Sequence, residues 1–186
     1  MRRYIGHARR AIEEWELVEL LSVASESARV LYLLAADGGL RRAEVLALRD
    51  VDVTPTRIRI QCGKGQVLRW TINTERIRNA IAIADWWQVK RPCYGWLGGM
   101  FAADRDRAGL PADLSMHCLR HRFATRLLRQ GLNLVDIQSL LGHRDLGTTA
   151  VYLHDSADRF DRARIAMEGE VCAQYEPPVD PLLVRG

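Results

Sequence analysis

Helix punctuation near the C-terminal end constrains this chain more than any other feature. From Met116 to Arg129 apolar residues recur at helical spacing, with Leu119, Phe123 and Leu127 on one face and Ser115 in position to cap the start. Gly131 stops that run. Asn133 opens the next, from Leu134 to Leu141, and Gly142 closes it. The two rods carry chemistry. His117 and Arg120 are three apart and share a second face. His143 follows Gly142 directly, and Tyr152 comes nine positions later, in a short helix capped by Thr148 or Thr149. Cationic side chains with a phenolic hydroxyl nearby suit an oxyanion such as a phosphate.

The rest of the chain predicts more helix, interrupted once. Residues 11–24 place Leu17, Leu20, Leu21 and Ala24 on one face. Residues 27–36 are nearly apolar all round, as in a central core helix, and Gly38-Gly39 ends them. A short helix follows, with Arg41 at its start and Glu44 one turn later. The period then falls to two. Arg57–Ile60 and Val67–Ile72 alternate around Gly63-Lys64-Gly65, which reads as a β-hairpin with Lys64 at its tip. The P-loop spacing is absent. Helices are expected over 74–89, 100–108 and 157–168, with a loop over 90–99. The fold class is therefore mainly α with a small antiparallel β-hairpin, an α+β arrangement.

A length of 186 residues suits one core. The net charge of +4 comes mostly from arginine, which grips phosphate with parallel donors, so a polyanionic partner fits. Cys62, Cys93, Cys118 and Cys172 form no Cys-x-x-Cys pair, which favours reduced thiols over a disulfide framework or a zinc site. The sequence contains neither a secretory apolar segment nor a membrane-spanning run, so the expected location is cytoplasmic with no membrane partner.

Each motif is weak alone. A lone histidine is more often structural, a helical arginine is more often a surface ion pair, and Gly-Lys-Gly is more often just a turn. Together and in order they resemble the catalytic domain of the tyrosine recombinases, the phage-integrase type. Gly39-Leu40-Arg41-Arg42-Ala43-Glu44 resembles the first box, Lys64 the hairpin lysine, and His117-x-x-Arg120-His121 the second box. Leu140-Leu141-Gly142-His143 resembles the third, and Tyr152 stands at the nucleophile's place.

The resemblance implies a DNA breaking-rejoining fold. It also implies six catalytic residues, Arg41, Lys64, His117, Arg120, His143 and Tyr152, supported by Glu44. The phenol attacks a DNA phosphodiester to give a 3′-phosphotyrosyl link and a free 5′-hydroxyl. No cofactor, metal or ATP is implied, because cationic side chains neutralise the transition state. The implied partner is double-stranded DNA, with a homotetramer on DNA and a monomer in solution. The expected organisation is a basic arm or linker over 1–10, the catalytic domain over 11–170 and a tail over 171–186. No separate N-terminal core-binding domain is expected.

Three rival readings compete. A helix-turn-helix regulator would read DNA with residues 134–141, but Leu134, Val135, Ile137, Leu140 and Leu141 suggest a buried helix there. A type IB topoisomerase shares the phosphotyrosyl chemistry, but His143 and its short spacing to Tyr152 favour the recombinase branch. A non-cleaving DNA-binding regulator of the same fold is the third. Tyr152→Phe separates it from an enzyme.

Overall fold

The computed structural model describes residues 10–61, 68–88, 93–142 and 157–169. Its axis is the most apolar helix of the sequence. After α1 (Glu14–Val23), Ser25 accepts the backbone N–H of Ala28 at 3.3 Å and starts α2 (Glu26–Ala36). Val30 to Ala36 are all buried, so this helix is enclosed on every side. Gly39 then takes a left-handed φ of 68°, and a Cβ there would lie 2.5 Å from the Phe123 ring. Only glycine lets the chain turn this tightly against that ring. The turn leads into α3 (Arg42–Ala47).

A single 3-10 turn (Asp50–Asp52) precedes the sheet. Strands β1 (Arg57–Ile60) and β2 (Arg69–Ile72) pair antiparallel, with Ile60 opposite Arg69. The arms match the expected hairpin, while its tip with Lys64 lies outside the described residues. Thr74 caps α4 (Glu75–Ile83). This helix is shorter than the expected 74–89, because Asp85 adopts φ 44° and swings Trp86 into the core, fully buried.

The expected loop over 90–99 is corrected from Tyr94 onward, where α5 (Tyr94–Arg107) begins. Three glycines disfavour a helix there by about 1 kcal/mol each. Leu97 and Phe101, one turn apart and both buried, offset that cost at about 1.5–3 kcal/mol each. Arg42 also stacks over the Tyr94 ring at 3.9 Å, beside Gly98.

Helices α6 (Met116–Arg129) and α7 (Leu134–Leu141) stand where the sequence puts them, and Asn133 accepts the N–H of Asp136 at 2.8 Å. Leu134 and Val135 are exposed at the first turn of α7, against the expectation that this helix is buried. Its core face is carried by Ile137, Leu140 and Leu141 alone. The last described helix is α8 (Ala157–Glu168).

Two apolar clusters result. One surrounds α2 and includes Leu119 of α6. The other joins Ile72, Phe123, Leu127, Ile137, Leu140, Phe160 and Met167. Helix α6 is the wall shared by both, which is why its polar residues can face two separate places.

Candidate active site

Three arginines meet at one carboxylate and one helix end. Glu44 sits three residues into α3, where its Oε2 accepts the backbone N–H of Arg41 at 2.7 Å and its Oε1 accepts Arg41 Nη1 at 2.9 Å. Arg69, reaching across from β2, donates to both Glu44 oxygens at 2.7 Å each. Arg120 of α6 brings its Nη1 to 3.8 Å from Glu44 Oε2 and donates from the same nitrogen to the Gly39 carbonyl.

The last turn of α7 takes the remaining donors. Arg69 Nε reaches the Leu140 carbonyl at 2.9 Å, and Arg120 Nη2 the Leu141 carbonyl at 2.7 Å. Arg41 Nη2 reaches the Gly142 carbonyl at 3.2 Å. These are the carbonyls that a helix end leaves unsatisfied, and they carry the negative end of its dipole. Gly142 has a left-handed φ of 67°, and a Cβ on it would lie 2.7 Å from Arg69 Cδ. The glycine expected from the sequence as a helix stop is therefore also the seat for Arg69.

The charges do not balance. Among the described residues, three guanidiniums meet one carboxylate, an excess of two positive charges in this cluster. Burial alone would raise the Glu44 carboxyl, but Arg69 and then Arg41 hold it down at about 2. Arg120 is lowered to about 9, first by burial and then by the like charges of Arg41 and Arg69, against the pull of Glu44. It stays a cation at neutral pH, in a place where a cation is poorly compensated. Arg69 and Glu44 are each 7 % exposed and Arg120 13 %, whereas Arg41 is 38 % exposed and forms the open side of the cluster. An anion arriving there relieves the repulsion.

The structure thus brings together Arg41, Glu44 and Arg120 of the residues singled out by the sequence. His117 is exposed one turn before Arg120 on α6. Lys64, His143 and Tyr152 lie outside the described residues. Arg69 was missed. Its only signal is a charged residue in the strand register shared with buried Thr71, close to a glutamate that needs a partner. Among the described residues no group of three or more His, Cys, Asp or Glu is arranged to hold a metal ion. Nor is any helix among them long and apolar enough to cross a membrane.

Residues 10–159 match the model of the phage integrase family. The chain belongs to that family. It is 31% identical over 143 residues to a tyrosine recombinase of Thermosipho africanus, an alignment covering 68% of this chain and 49% of that one. The crystal structure of XerA recombinase superposes with a TM-score of 0.66 at 25% identity, covering 92% of this chain and 67% of the other. XerH site-specific recombinase, solved bound to its difH substrate in a pre-cleavage complex, gives a TM-score of 0.59 at 24% identity, covering 82% and 53%. The chain spans about half the length of the curated relatives it matches.

Proposed function

We propose that this chain is the catalytic domain of a tyrosine-type site-specific DNA recombinase. Its substrate is double-stranded DNA, which it cleaves and rejoins through a 3′-phosphotyrosyl intermediate. The observation that carries the reading is the cationic cluster, in which Arg41 and Arg120 are fixed by Glu44 and the end of α7 with positive charge in excess. Fixed donors aimed at a phosphate stabilise the charge that its non-bridging oxygens gather during displacement. They also need no reorganisation when the reaction occurs.

The remaining roles follow the family's motif, position by position. The Tyr152 oxygen attacks phosphorus as the bond to the 5′-oxygen breaks. The Tyr152 proton passes to His117, and Lys64 gives a proton to the departing 5′-oxygen. His143 adds a hydrogen bond to the non-bridging oxygens. One phosphate ester is exchanged for another, so the reverse reaction rejoins the strand without an energy source. Residues 11–170 form the catalytic unit, flanked by a basic arm over 1–10 and a tail over 171–186. The chain works in the cytoplasm on DNA, as a homotetramer there and a monomer in solution. This assembly is supported by the symmetry of strand exchange, which joins two duplexes.

The test is covalent trapping. The protein is incubated with nicked suicide duplexes from a candidate site library, denatured, and examined for a protein–DNA adduct. An adduct that Tyr152→Phe abolishes is the expected outcome. DNA retention without any adduct, unchanged by Tyr152→Phe, would favour a non-cleaving regulator instead.

A further inference from the structure

Arg69 belongs to none of the motif positions, yet its guanidinium joins the Glu44 carboxylate to the Leu140 carbonyl. We propose that Arg69 is a positioning residue, which clamps the Glu44 carboxylate to the last turn of α7 and thereby fixes Arg41 and the chain leading into His143. The proposal deepens the recombinase reading and rests on it for what the clamp serves.

Four observations support it. First, Arg69 holds both oxygens of Glu44 in a two-bond fork, each at 2.7 Å, which fixes the rotation of the carboxylate that in turn orients Arg41. Second, its Nε is committed to the Leu140 carbonyl, so one planar group ties α3 to α7. Third, its methylene occupies the space above Gly142, so the register of the helix end depends on the side chain lying there. Fourth, Arg69 sits on the arm of β2 that returns from the Lys64 hairpin. The opposite arm is held by a second buried carboxylate, Asp52, through Arg59 at 2.9 Å and Gln61 at 3.1 Å. Each arm of the hairpin is therefore fastened by a carboxylate near the end of the paired ladder closest to the tip.

Charge supplies the functional consequence. Paired only with Arg41, Glu44 would cancel the cation that faces solvent. Arg69 neutralises Glu44 from the buried side and leaves the charge of Arg41 and Arg120 for an anion. At 7 % exposure its guanidinium is largely closed off from solvent.

Two variants test this, Arg69→Lys and Arg69→Met, each with two readouts. Arg69→Lys keeps the charge but loses the fork and the Nε bond. In single-turnover cleavage of a suicide duplex, the rate is expected to fall about tenfold for Lys and roughly a hundredfold for Met, as for small misplacements of reacting groups, with DNA affinity nearly unchanged. In side-chain nitrogen NMR without DNA, solvent exchange of the Arg41 guanidinium protons is expected to accelerate about tenfold or more in both, a loss of local protection. Cleavage rate and Arg41 exchange that match wild type in a folded variant overturn the proposal, even if stability falls. If Arg69→Met does not fold, Arg69→Lys decides by the same criteria. If the wild-type chain forms no covalent adduct, the recombinase reading fails, while the exchange of Arg41 still decides the role of Arg69.

Discussion

Arg120 and Arg122 stand two residues apart on α6 and meet opposite surroundings. At 100° per residue they point to opposite sides of the helix. Arg122 reaches Asp37 at 2.8 Å, the Ala36 carbonyl at 3.1 Å and Glu14. Arg76 adds contacts to Glu14 at 2.9 Å and to Asp37 at 3.6 Å, and Arg126 reaches Glu14 at 3.4 Å. Burial works against the Arg122 charge, but Asp37 and Glu14 more than offset it and raise its pKa. Arg120 is a partly buried cation, but its nearest charges are mostly like ones, and burial together with them lowers its pKa. The lesson is that burial alone does not tell a structural arginine from a functional one. The ratio of partners to charges does. Among the described residues, two carboxylates face three arginines on the Arg122 side, and one faces three on the Arg120 side.

The largest expected effect breaks the structural side. Arg122→Met leaves Asp37, which is 1 % exposed, with only a long contact to Arg76. Loss of one partner from a buried pair costs about 3–5 kcal/mol. The urea midpoint should fall accordingly. A midpoint near wild type would mean that Arg76 takes over and that the network is redundant.

Arg120→Met should give the reverse profile. It removes a poorly compensated cation together with its bonds to the Gly39 and Leu141 carbonyls. These effects oppose each other, so stability should change by no more than about 1 kcal/mol. Single-turnover cleavage should drop about 10²–10³-fold, as when a transition-state donor is removed. A variant that unfolds like Arg122→Met would erase the distinction between the two sides.

Acid sharpens the contrast next. The Glu44 carboxyl is depressed from 4.5 to about 2. Its contribution is therefore complete above the unfolded value near 4.5 and is lost as pH falls through that value toward 2. The loss amounts to about 3 kcal/mol over that window. Urea midpoints measured at pH 5, 4 and 3 should fall for wild type and should fall less steeply for Glu44→Gln. Equal slopes would mean that Glu14 and Asp52, whose carboxyls are also lowered, carry the acid sensitivity instead.

Much of this was legible beforehand. The caps at Ser115 and Asn133, the stops at Gly39 and Gly142, and the faces of α2 and α6 follow from local periodicity and turn chemistry, which depend on nearby residues only. The start of α5 was not, because its glycines argue against a helix and only the tertiary burial of Leu97 and Phe101 reverses that. Arg41, Glu44 and Arg120 were legible through their motif. Arg69 was not, since its partners lie 25 and 71 residues away and strand alternation does not reveal what a buried charge meets. The Arg122 network was equally hidden, because its closing contacts come from α1 and the end of α2.

The smallest effect asks whether the charge excess is felt by a free anion. A ligand that binds only the folded state stabilises it by mass action. For an affinity of about 10 mM, phosphate at about 100 mM would add about 1.4 kcal/mol. Melting temperatures in phosphate and in chloride at equal ionic strength remove the general screening effect from the comparison. Wild type should melt higher in phosphate. Arg122→Met should keep that increment from its lower baseline, because it leaves Arg76 and Arg126 facing the two carboxylates Glu14 and Asp37 and does not touch the Arg120 cluster. Arg120→Met should lose it. An increment that survives Arg120→Met but disappears in Arg122→Met would move the anion to the Glu14 side, and with it the case for reading function from the imbalance of charge.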